Sequence, residues 1–391
     1  MNYTLFDGQY HQKLKPLTWT KPVSKIRVGI TTIKEKWENY FGEEVYIRTK
    51  DYLSNKFNSN TEQSIIGICA AVLPNSEIVS AIHDLEDNTI MIHENKVLAI
   101  KPLPPENVEF DKVFSSYNKV TYLGDYNIVD RPMDVFLLNE SEIQNDLQFL
   151  ATDELKKSSY GINNSLIGGQ IYIEDGAKIQ GASLNSDTGP IYISKDAEIM
   201  EGSLIRGPFV MLEGSVLKLG TKVYDATTLG PYCKVGGEVS NVVFQGYANK
   251  AHDGFAGNSV IGEWCNLGAD TNTSNLKNNY GIVKSWDYFS NDYKSTGTQY
   301  CGLIMGDHSK SGINTMFNTG SVVGIFANIF DAGFPPKFIP SFSRGGREDS
   351  DVFDFEKAKQ LAEIVMKRRN LDFSKDDESI LYHIFKETII E

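Results

Sequence analysis

Residues 249 to 269, NKAHDGFAGNSVIGEWCNLGA, set one histidine, His252, between a lysine and an aspartate among small and polar residues. A histidine has a reference pKa of about 6.5, so it can accept a proton near neutral pH and act as a general base. The run is rich in Gly, Ala and Asn and carries little helix signal, so we expect a turn or groove around the histidine. A structural histidine at a backbone corner is the alternative reading.

Apolar residues recur every six positions in the stretch that leads to His252: Ile193, Ile199, Ile205, Met211, Leu217, Val223, Leu229 and Val235. The pair Ile173 and Ile179 has the same spacing but is offset by an insertion, and the period returns at Ile261 and Leu267 and again at Met305, Ser311, Phe317 and Val323. A six-residue period predicts short strands joined by tight turns, with three hexads in each triangular coil of a parallel β-helix. Residues 275–302 break the period, and we expect them to loop out, either as a functional excursion or as a subunit-packing loop.

The sequence on either side of the repeat has a different character. In residues 1–150, apolar segments (IRVGITTI, SIIGICAAVL, KVLAIKPL) alternate with helical ones (SEIVSAIHDL, SEIQNDLQFL), which predicts an α/β domain. We expect the β-helix over residues 165–345. The tail, 350–391, predicts two amphipathic helices with a capping box of Ser374 and Asp377. The basic run 367–369 is typical of a solvated helix end and is less readily explained as a phosphate site.

Composition and charge exclude several classes of protein. The net charge is −13 and no basic patch is dense, which argues against nucleic acid as a partner. No run of 18 apolar residues predicts a membrane span, and no secretory signal is visible at the N-terminus, so we expect a cytoplasmic protein. The four cysteines are widely spaced, which favours free buried thiols over disulfide or zinc roles.

The segment VGGEVSNVVFQGYANKAHDGFAGNSVIGEWCNLGADTNTSNLK resembles the acetyltransferase half of the bifunctional N-acetylglucosamine-1-phosphate uridyltransferase/glucosamine-1-phosphate acetyltransferase family. PLTWTKPVSKIRVG, RPMDVFLLN and MGDHSKSGINTMFNTGSVVG resemble a divergent branch of that family with an abbreviated nucleotidyltransferase-like domain. The resemblance implies a left-handed hexapeptide-repeat β-helix. It also implies a homotrimer, with the acyl donor in the groove between adjacent prisms.

Site residues follow from the resemblance position by position. It implies that His252 is the general base and that the backbone N–H of Ala269 reaches the thioester of acetyl-CoA. Side chains expected to bind the substrate are Lys234, Lys250, Asn266, Asn275 and Lys277. A base is required because an amine is largely protonated at neutral pH, and a fixed N–H would stabilise the oxyanion of the tetrahedral intermediate.

The sequence departs from the family pattern at three places near these residues. Phe255 stands where the family commonly has a tyrosine, and Asp270 replaces the second glycine of a G-A-G motif. The family's arginine-rich corner reads GPYCKVGG here, which leaves Lys234 as its one cationic phosphate ligand. These departures put the identity of the substrate in question.

The N-terminal segment KLKPLTWTKP keeps part of a nucleotidyltransferase phosphate loop. Lys21 matches the motif lysine and Lys15 is a further tentative phosphate ligand, but the glycines that would cradle phosphates are missing. Nucleotidyl transfer would need Mg²⁺, for which Asp7 and Asp125 are the candidate carboxylates. A degenerate, structural domain is the alternative.

Taken together, the sequence predicts a transferase for activated-sugar biosynthesis. The expected reaction moves an acetyl group from acetyl-CoA to an amino sugar phosphate or a related sugar nucleotide, with possible nucleotidyl transfer to a sugar-1-phosphate. The alternative is a non-catalytic sugar-nucleotide-binding or scaffolding protein. A zinc β-helix hydratase needs three histidines, and the repeat holds only His252 and His308.

Overall fold

The computed structural model describes residues 2–58, 65–105, 114–347 and 349–390, and these form two compact units. The first unit comprises residues 1–14, 21–26 and 31–130. The second comprises residues 15–20, 27–30 and 131–391.

The first unit is an α/β fold around a six-stranded mixed sheet. The strands of this sheet are Tyr3–Phe6, Tyr46–Arg48, Ile66–Cys69, Thr89–His93, Lys96–Lys101 and Asn118–Thr121, and Val72–Leu73 pairs with Asn127–Ile128 in a separate two-stranded sheet. The unit's α-helices are Tyr10–Lys13, Ile33–Phe41, Asp51–Phe57 and Ser76–His83, with 3₁₀ turns at Val23–Lys25 and Phe114–Ser116. The central strands Tyr3–Phe6 and Ile66–Cys69 are buried along their whole length, as strands covered on both faces must be. The predicted α/β layout is confirmed.

The second unit is a parallel β-helix whose coils stack three rows of strands. Row A contains Ile171–Ile173, Ile191–Ile193, Phe209–Met211, Thr227–Leu229, Leu303–Met305, Ser321–Val323 and Phe338–Ile339. Row B contains Lys178–Ile179, Glu198–Ile199, Val216–Leu217, Lys234–Val235, Asn249–Lys250, Asn266–Leu267, Lys310–Ser311, Asn328–Ile329 and Ser343–Gly345. Row C contains Ser165–Ile167, Ser183–Asn185, Leu204–Arg206, Lys222–Tyr224, Asn272–Thr273 and Met316–Phe317. The long strands Glu238–Phe244 and Phe255–Ile261 pass from row C into row A.

The predicted hexad period is confirmed by these coils. In the regular coils, successive row-B strands pair three hexads apart along the chain, as Glu198 does with Val216 and Val216 with Lys234. The repeat positions point inward and are nearly all fully buried; Ser311, the polar member, is 5% exposed. Aliphatic side chains one above another therefore form the continuous core of the prism, so each coil is stabilised by its neighbours.

The helix Asn139–Leu150 packs on the early coils through Ile143 and Leu147, which share a buried cluster with Tyr192 and Val210. The helix Asp134–Leu137 precedes it. IRVGITTI does not form the regular strand that its composition suggests. Instead, buried side chains hold residues 27–30 in an irregular conformation: Gln245 exchanges two hydrogen bonds with the backbone of Arg27.

The predicted excursion and tail are both present. Residues 275–302 leave the coil and contain an antiparallel hairpin of Lys284–Asp287 and Asp292–Ser295. A strand at Asp351–Val352 is followed by the helices Phe355–Lys367 and Lys375–Ile390, and Ser374 and Asp377 exchange the predicted capping bonds. All four cysteines are free and buried. Among the described residues, no helix has the length and apolar character needed to cross a membrane.

Candidate active site on the beta-helix

The coils become irregular at the stretch that carries His252. The steps from Lys234 to Asn249 and from Asn249 to Asn266 are both shorter than the three hexads of the earlier coils. The strands Asn249–Lys250 and Asn266–Leu267 pair through Asn249 and Asn266. His252 lies in an exposed turn between rows B and C.

Lys250 occupies the inward position of its row-B strand, in register with the core residue Val235. Its side chain is 1% exposed, and its ammonium donates to the carbonyl oxygens of Gly236 at 3.0 Å and of His252 at 2.9 Å. Burial lowers the pKa of Lys250 to about 8, and the carboxylates of Asp253 and Asp270 partly oppose this shift. Lys250 therefore fixes the backbone of the histidine turn from inside the prism.

His252 and Ala269 occupy equivalent positions in adjacent coils. Each lies three positions after a paired asparagine, and the N–H of Asp270 donates to the carbonyl oxygen of Asp253 at 3.0 Å, which locks the two turns together. Adjacent coils lie about 5 Å apart. The imidazole of His252 is exposed and has no hydrogen-bond partner among the described residues. The N–H of Ala269 likewise donates to no acceptor in the described part of the chain, although its carbonyl accepts from Asn314.

The two departures near this turn have physical explanations. Asp270 has φ of +55°, in the left-handed region that glycine prefers and that aspartate tolerates better than most residues. Its carboxylate is exposed and accepts from the side chain of Asn272 at 3.2 Å. Phe255 begins the next row-C strand and lines a neighbouring cavity, so its ring fills space without supplying a hydroxyl.

Polar side chains form a line on the outer face of row B. Lys234, Asn249, Asn266 and Lys310 are consecutive in register across four strands. Asn266 is exposed, and Lys310 is half-buried with its ammonium donating to the carbonyl of His308 at 3.1 Å. Two of the predicted substrate ligands, Lys234 and Asn266, therefore lie two strands apart on the face that leads to His252.

Asn275 and Lys277 lie away from this face. The amide of Asn275 donates to Asn258 at 2.7 Å, and Asn258 in turn donates to Asn241 in the amide orientation that satisfies both. These asparagines form a ladder along one corner, beside a cavity of about 540 Å³ that Phe255 and Tyr300 also line. Lys277 lies in the excursion and donates to the carbonyl of Ile282 at 2.6 Å.

The predicted phosphate ligands of the N-terminal segment belong to different units. Lys15 belongs to the second unit, where it is 4% exposed, forms an ion pair with Glu387 at 3.0 Å and lies 3.2 Å from the ring centre of Trp19. Thr20 of the same segment donates to Asp307. Lys21 belongs to the first unit and is 5% exposed.

The candidate carboxylates of the first unit differ in environment. Asp7 is buried, accepts from the N–H of Val23 and the hydroxyl of Thr49, and has its pKa raised to about 7 by burial. Asp125 is exposed. In the described residues, no group of three or more His, Cys, Asp or Glu side chains is arranged to hold a metal ion. Asp7 and Asp125 therefore do not form a Mg²⁺ site from protein ligands alone.

Three polar residues at these sites were missed by the sequence reasoning. Asp130 accepts from Lys13 at 2.8 Å and Lys96 at 3.2 Å; burial would raise its pKa, but the two ammonium groups lower it. Asn249 could have been found, because it precedes Asn266 by one coil. Arg369 contacts row B from the tail, and no repeat or motif predicts that contact.

Residues 3–154, and the chain over most of its length, are similar to known proteins. Residues 3–154 match the family model described as sugar nucleotidyl transferase. The chain is 23% identical to a bifunctional sugar-1-phosphate nucleotidylyltransferase/acetyltransferase of Sulfurisphaera tokodaii, over 82% of this chain and 93% of that protein. These two findings fit the family resemblance stated above and confirm it.

Solved structures with similar coils are more distant. The polySia-specific acetyltransferase NeuO covers 49% of this chain and 75% of its own at 9% identity and a TM-score of 0.23. The Arabidopsis UDP-N-acetylglucosamine acyltransferase covers 54% of this chain and 77% of its own at 12% identity and a TM-score of 0.21. Both likenesses are weak, and no functional inference rests on them.

Proposed function

We propose that this transferase, related to the bifunctional nucleotidylyltransferase/acetyltransferases, moves an acetyl group from acetyl-CoA to the amino group of a sugar phosphate on its β-helix. The observation that carries the proposal is the register of His252 with Ala269. The exposed imidazole of His252 and the backbone N–H of Ala269 therefore lie at the same corner of adjacent coils. That N–H donates to no acceptor within the described residues.

The steps use these two groups in sequence. His252 takes a proton from the substrate ammonium, and the free amine attacks the thioester carbon. The resulting oxyanion accepts a hydrogen bond from the N–H of Ala269, which needs no reorganisation because the coil holds it. The nitrogen of the intermediate releases its second proton to water, and the intermediate collapses with cleavage of the C–S bond to leave an amide. The CoA thiolate takes the proton from His252.

Lys250 acts in this proposal as a positioning residue. Its ammonium lies inside the prism and donates a hydrogen bond to the carbonyl of His252. We therefore infer that Lys250 holds the turn in shape and does not contact the substrate directly. Asn266 faces outward and is the better placed of the two asparagines to meet a sugar. The amide of Asn275 is engaged in the ladder with Asn258.

The direct experiment is thiol release from acetyl-CoA in the presence of glucosamine-1-phosphate. We expect turnover that depends on the amino sugar, and none with N-acetylglucosamine-1-phosphate, which has no free amine. A protein that binds both substrates and never releases CoA would be the non-catalytic alternative, and the proposal would fail.

We also propose nucleotidyl transfer to a sugar-1-phosphate for residues 1–150, with Mg²⁺. The match of residues 3–154 to the sugar nucleotidyl transferase model supports it. Against a fully active site stand the missing glycine cradle and the ion pair between Lys15 and Glu387. Lys21 is then the lysine most expected to meet a nucleotide phosphate.

A further inference from the structure

Four cationic side chains lie close together where the tail helix Phe355–Lys367 ends near row B: Lys218, Lys234, Arg368 and Arg369. Arg369 donates from Nη2 to the carbonyl oxygen of Tyr232 at 3.4 Å and to Oδ1 of Asn249 at 3.5 Å. These contacts place the guanidinium over the step from Lys234 to Asn249, since Tyr232 lies just before that strand. Lys218 and Arg368 act electrostatically on Lys234 together with Arg369.

The cluster is not neutralised within the described parts of the chain. None of these four side chains forms an ion pair with a carboxylate there. Burial lowers the pKa of Lys234, the three neighbouring cations lower it further, and Glu198 is the carboxylate that opposes them. The four cations repel one another, so an anion bound among them would be attracted to the cluster and would relieve that repulsion.

The donors of Arg369 are available to such an anion. Nε and Nη1 make no hydrogen bond to any described residue, and the side chain is only half-buried. A guanidinium presents a planar fork that binds two phosphate oxygens at once, whereas a lysine such as Lys234 adds a point charge.

We propose that Arg369 and Lys234 form a binding site for a phosphate monoester on the outer face of row B. Lys218 and Arg368 add to its positive field. The site rests on the proposed acetyl transfer and deepens it, because Asn266 lies two strands from Lys234, about 10 Å away. That distance suits a substrate with a sugar at Asn266 and its phosphate at Arg369. The tail helix thereby supplies a cation that the GPYCKVGG corner lacks.

The test is calorimetric binding of glucosamine-1-phosphate and of glucosamine to the full chain and three variants. We expect Arg369→Ala to weaken glucosamine-1-phosphate binding about 10- to 100-fold, the range expected for loss of a charged hydrogen bond. Arg369→Lys should recover part of that affinity. Lys367→Ala removes the same charge at a nearby position and should stay within about twofold of the wild type.

CoA and dephospho-CoA form a second arm, because a phosphate monoester of CoA offers the same chemistry. If the wild type binds CoA more tightly than dephospho-CoA and Arg369→Ala does not, the site exists and the phosphate monoester that it binds is that of CoA. If Arg369→Ala binds glucosamine-1-phosphate and CoA as tightly as the wild type does, the proposed site is wrong. It is also wrong if the variant binds glucosamine and glucosamine-1-phosphate more weakly by the same factor. Phosphate-dependent binding without any CoA release by the wild type would support the site and contradict the acetyl transfer.

Discussion

The sequence singles out Lys250 as a candidate site residue, but it does not predict where the side chain lies. The resemblance implies that Lys250 binds the substrate, whereas the structure shows its side chain buried inside the prism. The hexad period does not predict this, because the step from Val235 to Lys250 is not a whole number of hexads. Only the folded register shows that the lysine takes a core position and bonds to backbone carbonyls.

The lowered pKa of Lys250 predicts a pH-dependent stability. Its folded-state pKa is about 8 against an ordinary value of 10.5, so between these values the unfolded state binds more protons. The free energy of unfolding should therefore rise with pH over that window, by at most about 1.4 kcal/mol per pH unit, and this dependence should fade out by about pH 7. Denaturant titrations of the wild type and Lys250→Met, compared at several pH values from 7 to 10, measure it.

The difference between the two proteins isolates this effect, because every other group titrates in both. A difference that stays constant from pH 7 to 10 would mean that Lys250 is not buried as described.

The backbone conformation of Asp270 could be predicted from the sequence alone. A position where the family has glycine often needs a positive φ, and aspartate tolerates one.

At the scale of elements, the repeat could be predicted and its interruptions could not. Hexad spacing is a local signal, so the rows of strands follow from it. A column of stacked aromatic rings along the corner between rows A and B has no constant spacing: Tyr232, Tyr247, Trp264, His308, Phe326 and Phe342. All six have positive φ, and their alignment requires the shortened coils and the excursion to be known.

The excursion 275–302 predicts an assembly. It exposes large apolar side chains, including Tyr280, Ile282 and Phe289, which a single chain leaves in water. We expect it to contact a neighbouring prism in a homotrimer, the closed symmetry implied by the family resemblance. Light scattering under assay conditions should give about three times the chain mass of 43.7 kDa. A particle of one chain mass with full activity would contradict the trimer.

At the scale of the whole molecule, the sequence predicts two kinds of fold but not how the chain distributes its segments between them. Residues 15–20 and 27–30 come early in the sequence yet belong to the second unit. Their anchors are side chains such as Gln245 and Glu387, which come much later in the sequence. Such contacts depend on tertiary placement, which no local pattern carries.

This division gives a prediction for nucleotidyl transfer. Lys15 is neutralised by Glu387, whereas Lys21 matches the motif lysine, so activity should depend on Lys21 and little on Lys15. We expect weak turnover of UTP or dTTP with a sugar-1-phosphate and Mg²⁺, because the glycine cradle is missing. Lys21→Ala should abolish that turnover, with Lys15→Ala as the matched control. Robust activity that survives loss of Lys21 would show that the motif is misassigned.

The most direct test of the central claim is the rate of acetyl transfer by His252→Ala. The histidine is exposed and its imidazole makes no hydrogen bond within the described chain, so the variant should keep its fold and its melting temperature. With acetyl-CoA and glucosamine-1-phosphate, we predict that kcat falls about 10²- to 10⁴-fold, the usual contribution of a general base. A folded His252→Ala protein that transfers acetyl groups at the wild-type rate would contradict the account.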